Sequence, residues 1–371
     1  MKRAPLFLFI LLLFFGINLI HAEVADSTYG HFAISIRGDY GFLIAHRPVL
    51  VPLQEKHVTG FELSIAHLSY GKEEWEKDFL FPEKGLTIAY FNLGNPERLG
   101  YGVAIYPYLD FPFNNKKDSR FVFRYGIGLG WVEKIFNAER NYKNAAIGSH
   151  LNGVIHFDLH YEKDLSASSR LEMSAGITHY SNGAYELPNL GINVATINLA
   201  YTKFFGDKVV LQKNILSKNG IRKSEWNLYA GAGEKKIYPP GGKKYNAGVL
   251  SFLKTIPIKR KNSWGIGTDL FFDNSLAARL QLRGQTLKGN SDNLRFGIYG
   301  AYEMHVGKTG LIFNMGYYLF SRWKEDGNIY HRIGVRQYFN HVFLCMNLKT
   351  HYARADFVEF GLGYVFKKKK L

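Results

Sequence analysis

Apolar and polar residues alternate along this chain with a period of two, and they do so almost from end to end. In FELSIAHL, Phe61, Leu63 and Ile65 share one parity while Glu62, Ser64 and the small Ala66 share the other. In LRFGIYGAYEM, Leu294, Phe296, Ile298, Tyr302 and Met304 alternate with Arg295, Gly297 and Glu303. In GLIFNMGYYL, Leu311, Phe313, Met315, Tyr317 and Leu319 form one face, with Asn314 and Gly316 on the other. Successive side chains on a strand point to opposite faces, so this pattern predicts half-buried strands. Helical spacing is not evident after the first 22 residues. About 14 to 16 such segments of about 9 to 13 residues can be marked, separated by turn-rich stretches. The fold class is therefore all-β, either a water-soluble sandwich or barrel, or a transmembrane antiparallel β-barrel.

Three features select the membrane barrel. Segment length matches the roughly 9–11 residues that cross a bilayer at a tilt. Aromatic residues make up 16% of the chain and gather near segment ends, as an interfacial girdle does. The polar parity is rich in Gly, Ser and Thr, which suits a lumen. RYGIGLGW shows both faces at once: Tyr125, Ile127, Leu129 and Trp131 against Gly126, Gly128 and Gly130. Those glycines are spaced by two with no helix after them, so they do not form a phosphate-cradling loop.

The first 22 residues are set apart from the fold. Lys2 and Arg3 precede the unbroken apolar run Leu6 to Phe15, and Ala22 offers a cleavage position, which is the layout of a secretory signal peptide. An exported chain with one cysteine, Cys345, holds no internal disulfide framework. Export also argues against nucleic acid as the partner of the net +16 charge, leaving anionic lipid head groups or simple solubility. Residues 23–366 are expected to form a single outer-membrane barrel, with 367–371 (KKKKL) as a solvated periplasmic tail. GLGYVF, Gly361 to Phe366, resembles the final-strand assembly signal of outer-membrane barrels. The basic stretch Leu211 to Glu225 lacks alternation and reads as a long loop; the other reading is a break between an eight-stranded barrel and a second strand set. One barrel leaves fewer backbone seams to cover.

The hairpin region GITHYSNGAYELPNLGIN, Gly176 to Asn193, carries the candidate chemistry. Leu171, Met173, Ala175, Ile177, His179 and Ser181 share one parity; Asn193 shares the apolar parity of the next segment with Ala195, Ile197, Leu199 and Tyr201. His179, Ser181 and Asn193 thus lie on one lipid-facing surface at one end of one hairpin. Residues two apart on a strand are about 6.6–6.8 Å apart, which lets an imidazole lean onto a serine hydroxyl. The plain alternative is a polar turn that ends the apolar band. In HFDLH, His156, Asp158 and His160 share one polar face; with no fourth ligand in view, a hydrated lumen lining is the expectation rather than a metal site.

HYSNGAYELPNLGIN resembles the signature of the lipid A 3-O-deacylase (PagL-type) and acyloxyacyl hydrolase family, outer-membrane barrel enzymes that remove an acyl chain from lipopolysaccharide. The resemblance implies Ser181 as nucleophile, His179 as general base and Asn189 in the oxyanion hole, with backbone amides near Gly183 and Ala184 beside it. It implies no metal and no cofactor, with lipid A in the outer leaflet of a Gram-negative outer membrane as substrate. Serine needs an adjacent base to take its proton, and a membrane-anchored ester needs a lipid-facing site. The family's third member is a glutamate, whereas this chain has Asn193 there. An amide orients an imidazole but does not stabilise imidazolium by charge; Glu186 in the loop, or no third member, are the other readings. The competing expectation is a non-enzymatic barrel, a pore or structural protein, since about 16 strands leave an aqueous lumen.

Overall fold

The computed structural model describes residues 32–114, 119–166, 168–206, 223–352 and 354–366. The expected signal peptide, the 367–371 tail and most of the 211–225 stretch lie outside them. Among the described residues sixteen strands follow one another. They are β1 (Phe32–Leu43), β2 (Val58–Leu68), β3 (Glu83–Asn92), β4 (Tyr101–Pro112), β5 (Ser119–Val132), β6 (Leu151–Ser166), β7 (Ser169–Ser181) and β8 (Ile192–Phe205). Then come β9 (Glu225–Lys235), β10 (Tyr245–Lys259), β11 (Asn262–Asp273), β12 (Leu294–Val306), β13 (Thr309–Ser321), β14 (Ile329–Phe339), β15 (Val342–His351) and β16 (Arg354–Phe366). Every pairing is antiparallel between sequence neighbours, apart from the two that close the sheets.

Those closures correct the single barrel expected over 23–366. β8 pairs with β1 from Phe32↔Phe205 to Leu43↔Val194, and β16 pairs with β9 from Phe366↔Trp226 to Phe360↔Ala232, giving two closed eight-stranded barrels. β8 and β9 each pair within their own sheet, β8 with β7 and β1, β9 with β10 and β16. Each set of eight satisfies its own edges, which removes the seam that made one large barrel look simpler.

Closure at eight strands also corrects the hydrated lumen. Eight strands enclose just enough room for side chains, and here they fill it. In the first barrel Arg124 forks onto Asp110 (Nε–Oδ1 2.8 Å, Nη2–Oδ2 2.7 Å), and Arg37 lies 3.3 Å from Asp158. His160 bridges Asp158 (2.8 Å) and Glu162 (3.1 Å), and His156 Nδ1 lies 2.9 Å from Thr178 Oγ1. The HFDLH face is thus a buried ion-pair network, and among the described residues no group of His, Cys, Asp and Glu is arranged as a metal site. In the second barrel Arg332 sits between Asp269 (2.8 Å) and Glu359 (2.5 Å), while Lys235 pairs with Asp273 (2.8 Å). Buried charges persist only when paired and hydrogen-bonded, which accounts for the matching of signs inside both barrels.

The outer faces are the reverse. Ile197 is 66% and Ile266 72% exposed, within bands that include Ile36, Phe61, Leu63, Met173, Leu250 and Leu270. Apolar surface on this scale is stable against lipid and not against water. Aromatic rings rim the bands: Tyr90 stacks on Tyr101 and Trp131 on His150 at one end of the first barrel, while Phe32–Phe205 and Phe121–Tyr161 meet at the other.

Connections distinguish the two ends of each barrel. In the first, 44–57, 93–100, 133–150 and 182–191 lie at one end. The opposite end has 113–118 and 167–168, with 69–82 as its one long connection. In the second, 260–261, 307–308 and 340–341 are tight turns, and 236–244, 274–293 and 322–328 are the longer loops opposite. Longer loops mark the outer end of outer-membrane barrels.

Candidate active site

The alternation along β7 delivers the expected faces. Glu172, Gly176, Thr178 and Tyr180 are buried inward, Met173, Ala175 and Ile177 are exposed, and His179 and Ser181 continue the outward parity as half-buried residues at the strand's end. His179 stands directly opposite Asn193 in the β7–β8 ladder, and Ser181 opposite Gly153 on β6, which has no side chain to cover it. The site is at the long-loop end of the first barrel.

Its hydrogen bonds form two pairs. His179 Nδ1 lies 2.6 Å from Asn193 Oδ1. A carbonyl oxygen only accepts, so Nδ1 carries the proton and Nε2 keeps its lone pair. Ser181 Oγ accepts from Asn189 Nδ2 at 2.9 Å, and Asn189 Oδ1 lies 3.2 Å from Ser181 Oγ and accepts from Asn182 N at 3.0 Å.

Neighbouring loops hold this geometry. Asn189 makes a β-bridge with Ile147, and Gly191 N donates to Ala146 O at 2.9 Å. The Ala146–Ile147 stretch is organised by the fully buried Asn144, whose Nδ2 donates to Arg98 O and Lys134 O and whose Oδ1 accepts from Ala146 N and Ile147 N. Asn182 Nδ2 donates to Ser149 Oγ at 2.7 Å, tying the residue after Ser181 to the same loop. Gly191 has φ +85°, and a Cβ there would lie 2.5 Å from His179 Cε1. The imidazole occupies the space that this glycine leaves open.

The remaining expected residues are placed differently. Gly183 and Ala184 both take left-handed backbone, φ +64° and +65°, and residues 183–187 group with the second compact unit. Within that unit Ala184 O accepts from Lys236 N at 2.8 Å, and Glu186 is paired by Lys236 (2.6 Å) and Lys244 (3.7 Å). Sequence reasoning missed His46, whose Nδ1 lies 2.9 Å from Asn193 Nδ2 across 147 residues of chain. It also gave no role to Gly191, although that glycine stands within the quoted signature.

A family model described as Lipid A 3-O-deacylase (PagL) matches residues 59–202, and one described as Acyloxyacyl hydrolase, C-terminal domain, matches residues 224–368. The chain belongs to the lipid A 3-O-deacylase family. The first match contains β7 and β8 as far as Thr202, and the second spans the second barrel. Among solved structures, Neisserial surface protein A is similar at 6% identity and TM-score 0.34, over 48% of this chain and 100% of that one. The outer membrane enzyme PagL is similar at 14% identity and TM-score 0.33, over 45% of this chain and 97% of that one. Comparison with curated protein sequences gave no match. As a member of this deacylase family with closed membrane barrels, the chain is an outer-membrane hydrolase of a Gram-negative bacterium.

Proposed function

We propose that the first barrel is a serine esterase that hydrolyses an ester-linked acyl chain of lipid A, and that the chain reaches the outer membrane by an N-terminal signal peptide cleaved near Ala22. One observation carries the catalytic reading: His179 and Ser181, two residues apart on the outward parity of β7 at the edge of the apolar band, are bonded by Asn193 and Asn189 respectively.

The roles follow from the hydrogen bonds. Asn193 holds His179 in the Nδ1–H tautomer, leaving Nε2 to take the proton of Ser181 as Oγ attacks the ester carbonyl carbon. Asn189 Nδ2, already 2.9 Å from Oγ, is placed to donate to the carbonyl oxygen as it becomes an oxyanion. His179 then returns its proton to the departing sugar hydroxyl, leaving an acyl-serine. Water, deprotonated by the same imidazole, releases the fatty acid. No step requires a metal or cofactor.

Asn193 is assigned as third member over Glu186, because it bonds His179 directly while Glu186 is paired by lysines. In the serine-protease template, Asp to Asn lowers turnover about 10⁴-fold through the wrong tautomer. Here the tautomer is the productive one, so the loss is confined to the missing charge. The pore reading finds no support in barrels whose interiors are filled by ion pairs.

The test is mass spectrometry of lipid A from cells expressing the chain or its Ser181→Ala variant. Loss of one acyl mass with the first and none with the second is the expected result. Unchanged lipid A in both, from protein shown to be folded in the membrane, would overturn the reading.

A further inference from the structure

His46 is an exposed loop residue on β1's exit, outside the 59–202 family match, yet it is held against the site from two sides. On one side the β1–β8 ladder runs past its last pair: Ile44 N donates to Asn193 O at 2.8 Å, clamping the chain two residues before His46. On the other, a 3₁₀ turn begins at Pro48 and plugs the barrel end with Leu50 and Leu53, both buried in the core. Gln54 Nε2 closes this loop on Leu43 O at 2.6 Å. Between the two anchors, His46 Nδ1 meets Asn193 Nδ2 at 2.9 Å.

An amide has two orientations that differ by exchange of its oxygen and nitrogen. In one, Asn193 Oδ1 accepts from His179 Nδ1–H and Nε2 is a base. In the other, Nδ2 donates to His179 Nδ1, the proton moves to Nε2, and Ser181 loses its proton acceptor. A glutamate at this position has two equivalent oxygens and faces no such choice; an asparagine does. Nothing within His179 or Asn193 selects the productive orientation. In its Nε2–H tautomer His46 does, because its Nδ1 lone pair, 2.9 Å from Asn193 Nδ2, accepts from the amide NH₂ and turns Oδ1 towards His179.

We propose that His46 is a positioning residue for the esterase reaction: by accepting from Asn193 Nδ2 it fixes the amide orientation, and through it the tautomer of His179. The inference rests on the serine-esterase reading above. It identifies what this chain uses where the family signature has an acid.

The test measures fatty-acid release from lipid A by the purified full-length chain in detergent micelles. His46→Ala is expected to lower kcat on the order of tenfold, the bias expected from one net hydrogen bond, with KM unchanged. His46→Gln offers an acceptor oxygen at the same place and is expected to recover most of the loss. The deciding comparison is in the Asn193→Asp background, whose carboxylate accepts from His179 either way round; there His46→Ala is expected to change kcat by less than about twofold. An equal loss in both backgrounds would show that His46 merely holds the loop, and would overturn the proposal. So would an unchanged kcat for His46→Ala in the native background. Ser181→Ala is run beside them: if it stays active, the esterase reading itself fails, whereas an inactive Ser181→Ala with a fully active His46→Ala sinks only the role given to His46.

Discussion

Replacing Gly191 with alanine tests the site through its tightest contact. The new Cβ would lie 2.5 Å from His179 Cε1 and 3.3 Å from Nδ1, whereas carbon atoms settle at about 3.5–4.0 Å. The backbone there cannot yield easily, since Gly191 N is bonded to Ala146 O, Ile192 after it is in the β8 ladder, and Asn189 two residues before it is in the Ile147 bridge. The imidazole must therefore retreat by about 1 Å, which stretches the 2.6 Å bond to Asn193 beyond hydrogen-bond range. Misplacement of a catalytic group by about 1 Å costs roughly 10²-fold in rate. A separate cost comes from φ +85°, a left-handed conformation that burdens an L-residue by about 1–2 kcal/mol of stability. Gly241 separates the two effects: its φ is +87° and nothing lies within 4 Å of its Cβ position. Both variants would be purified, checked for folding by the gel shift of unheated barrels, and assayed for fatty-acid release from lipid A. Gly191→Ala should lose about a hundredfold in kcat, and Gly241→Ala should keep it. Activity within about threefold of the native chain for a folded Gly191→Ala would refute the placement of His179 as the base.

Other expectations follow from the same geometry. Asn189→Ala removes the donor on Ser181 and should lower kcat about 10²–10³-fold with KM little changed, read by the same assay; a fall in KM-governed rate alone would argue for a binding role. Asn193→Asp supplies the missing charge beside a half-buried imidazole, worth roughly 1 kcal/mol after solvent screening, and should raise kcat about fivefold. Arg332→Ala strands the buried carboxylates Asp269 and Glu359 and should destabilise the second barrel by about 3–5 kcal/mol, measured by denaturant unfolding in detergent. Asp326 lies in the 322–328 loop; burial alone would raise its carboxyl, but Arg295 and Arg279 hold it well below the usual carboxylate range. A depressed folded-state pKa contributes stability that is present above the unfolded value and lost as pH falls through the folded one. Asp326→Asn should therefore be less stable than the native chain at neutral pH, with the gap closing below about pH 4.

Parity was the most informative property of the sequence, and it was informative about faces rather than closure. Alternation in LEMSAGITHYS assigned Glu172, Thr178 and Tyr180 inward and Met173, Ile177, His179 and Ser181 outward, and the structure keeps every one. The same alternation is compatible with any even number of strands around an axis, so sixteen strands did not say whether one sheet closed or two. That is decided by whether β8 finds β1, a pairing between Phe32 and Phe205 that no local pattern encodes. Reading the inner parity as a water-filled lumen followed from the large barrel, and it fell with it. Arg37, Asp158, His160 and Glu172 look like lumen polarity in the sequence; eight-strand closure makes them a packed ion-pair core.

The site divides along the same line. His179, Ser181 and Asn193 were legible because a strand's period and a hairpin's pairing are local, and Asn189 because it lies within the same quoted signature. His46 was not, since it reaches Asn193 through the β1–β8 closure, which joins residues 147 positions apart. The substitution that weakened the sequence argument, an amide where the family signature has an acid, is also what gives a remote acceptor something to do. A carboxylate at position 193 would hold His179 unaided. An asparagine holds it only when its amide is turned the right way, and the His46 that turns it is carried to the site by the strand pairing that closes the barrel. If that coupling operates, loosening the closure should reach the chemistry: Ile44→Pro removes the N–H that bonds Asn193 O. It should lower kcat in the native background and much less in the Asn193→Asp background, with the barrel still folded by gel shift. Equal losses in both would show that the closure supports the site only as scaffold.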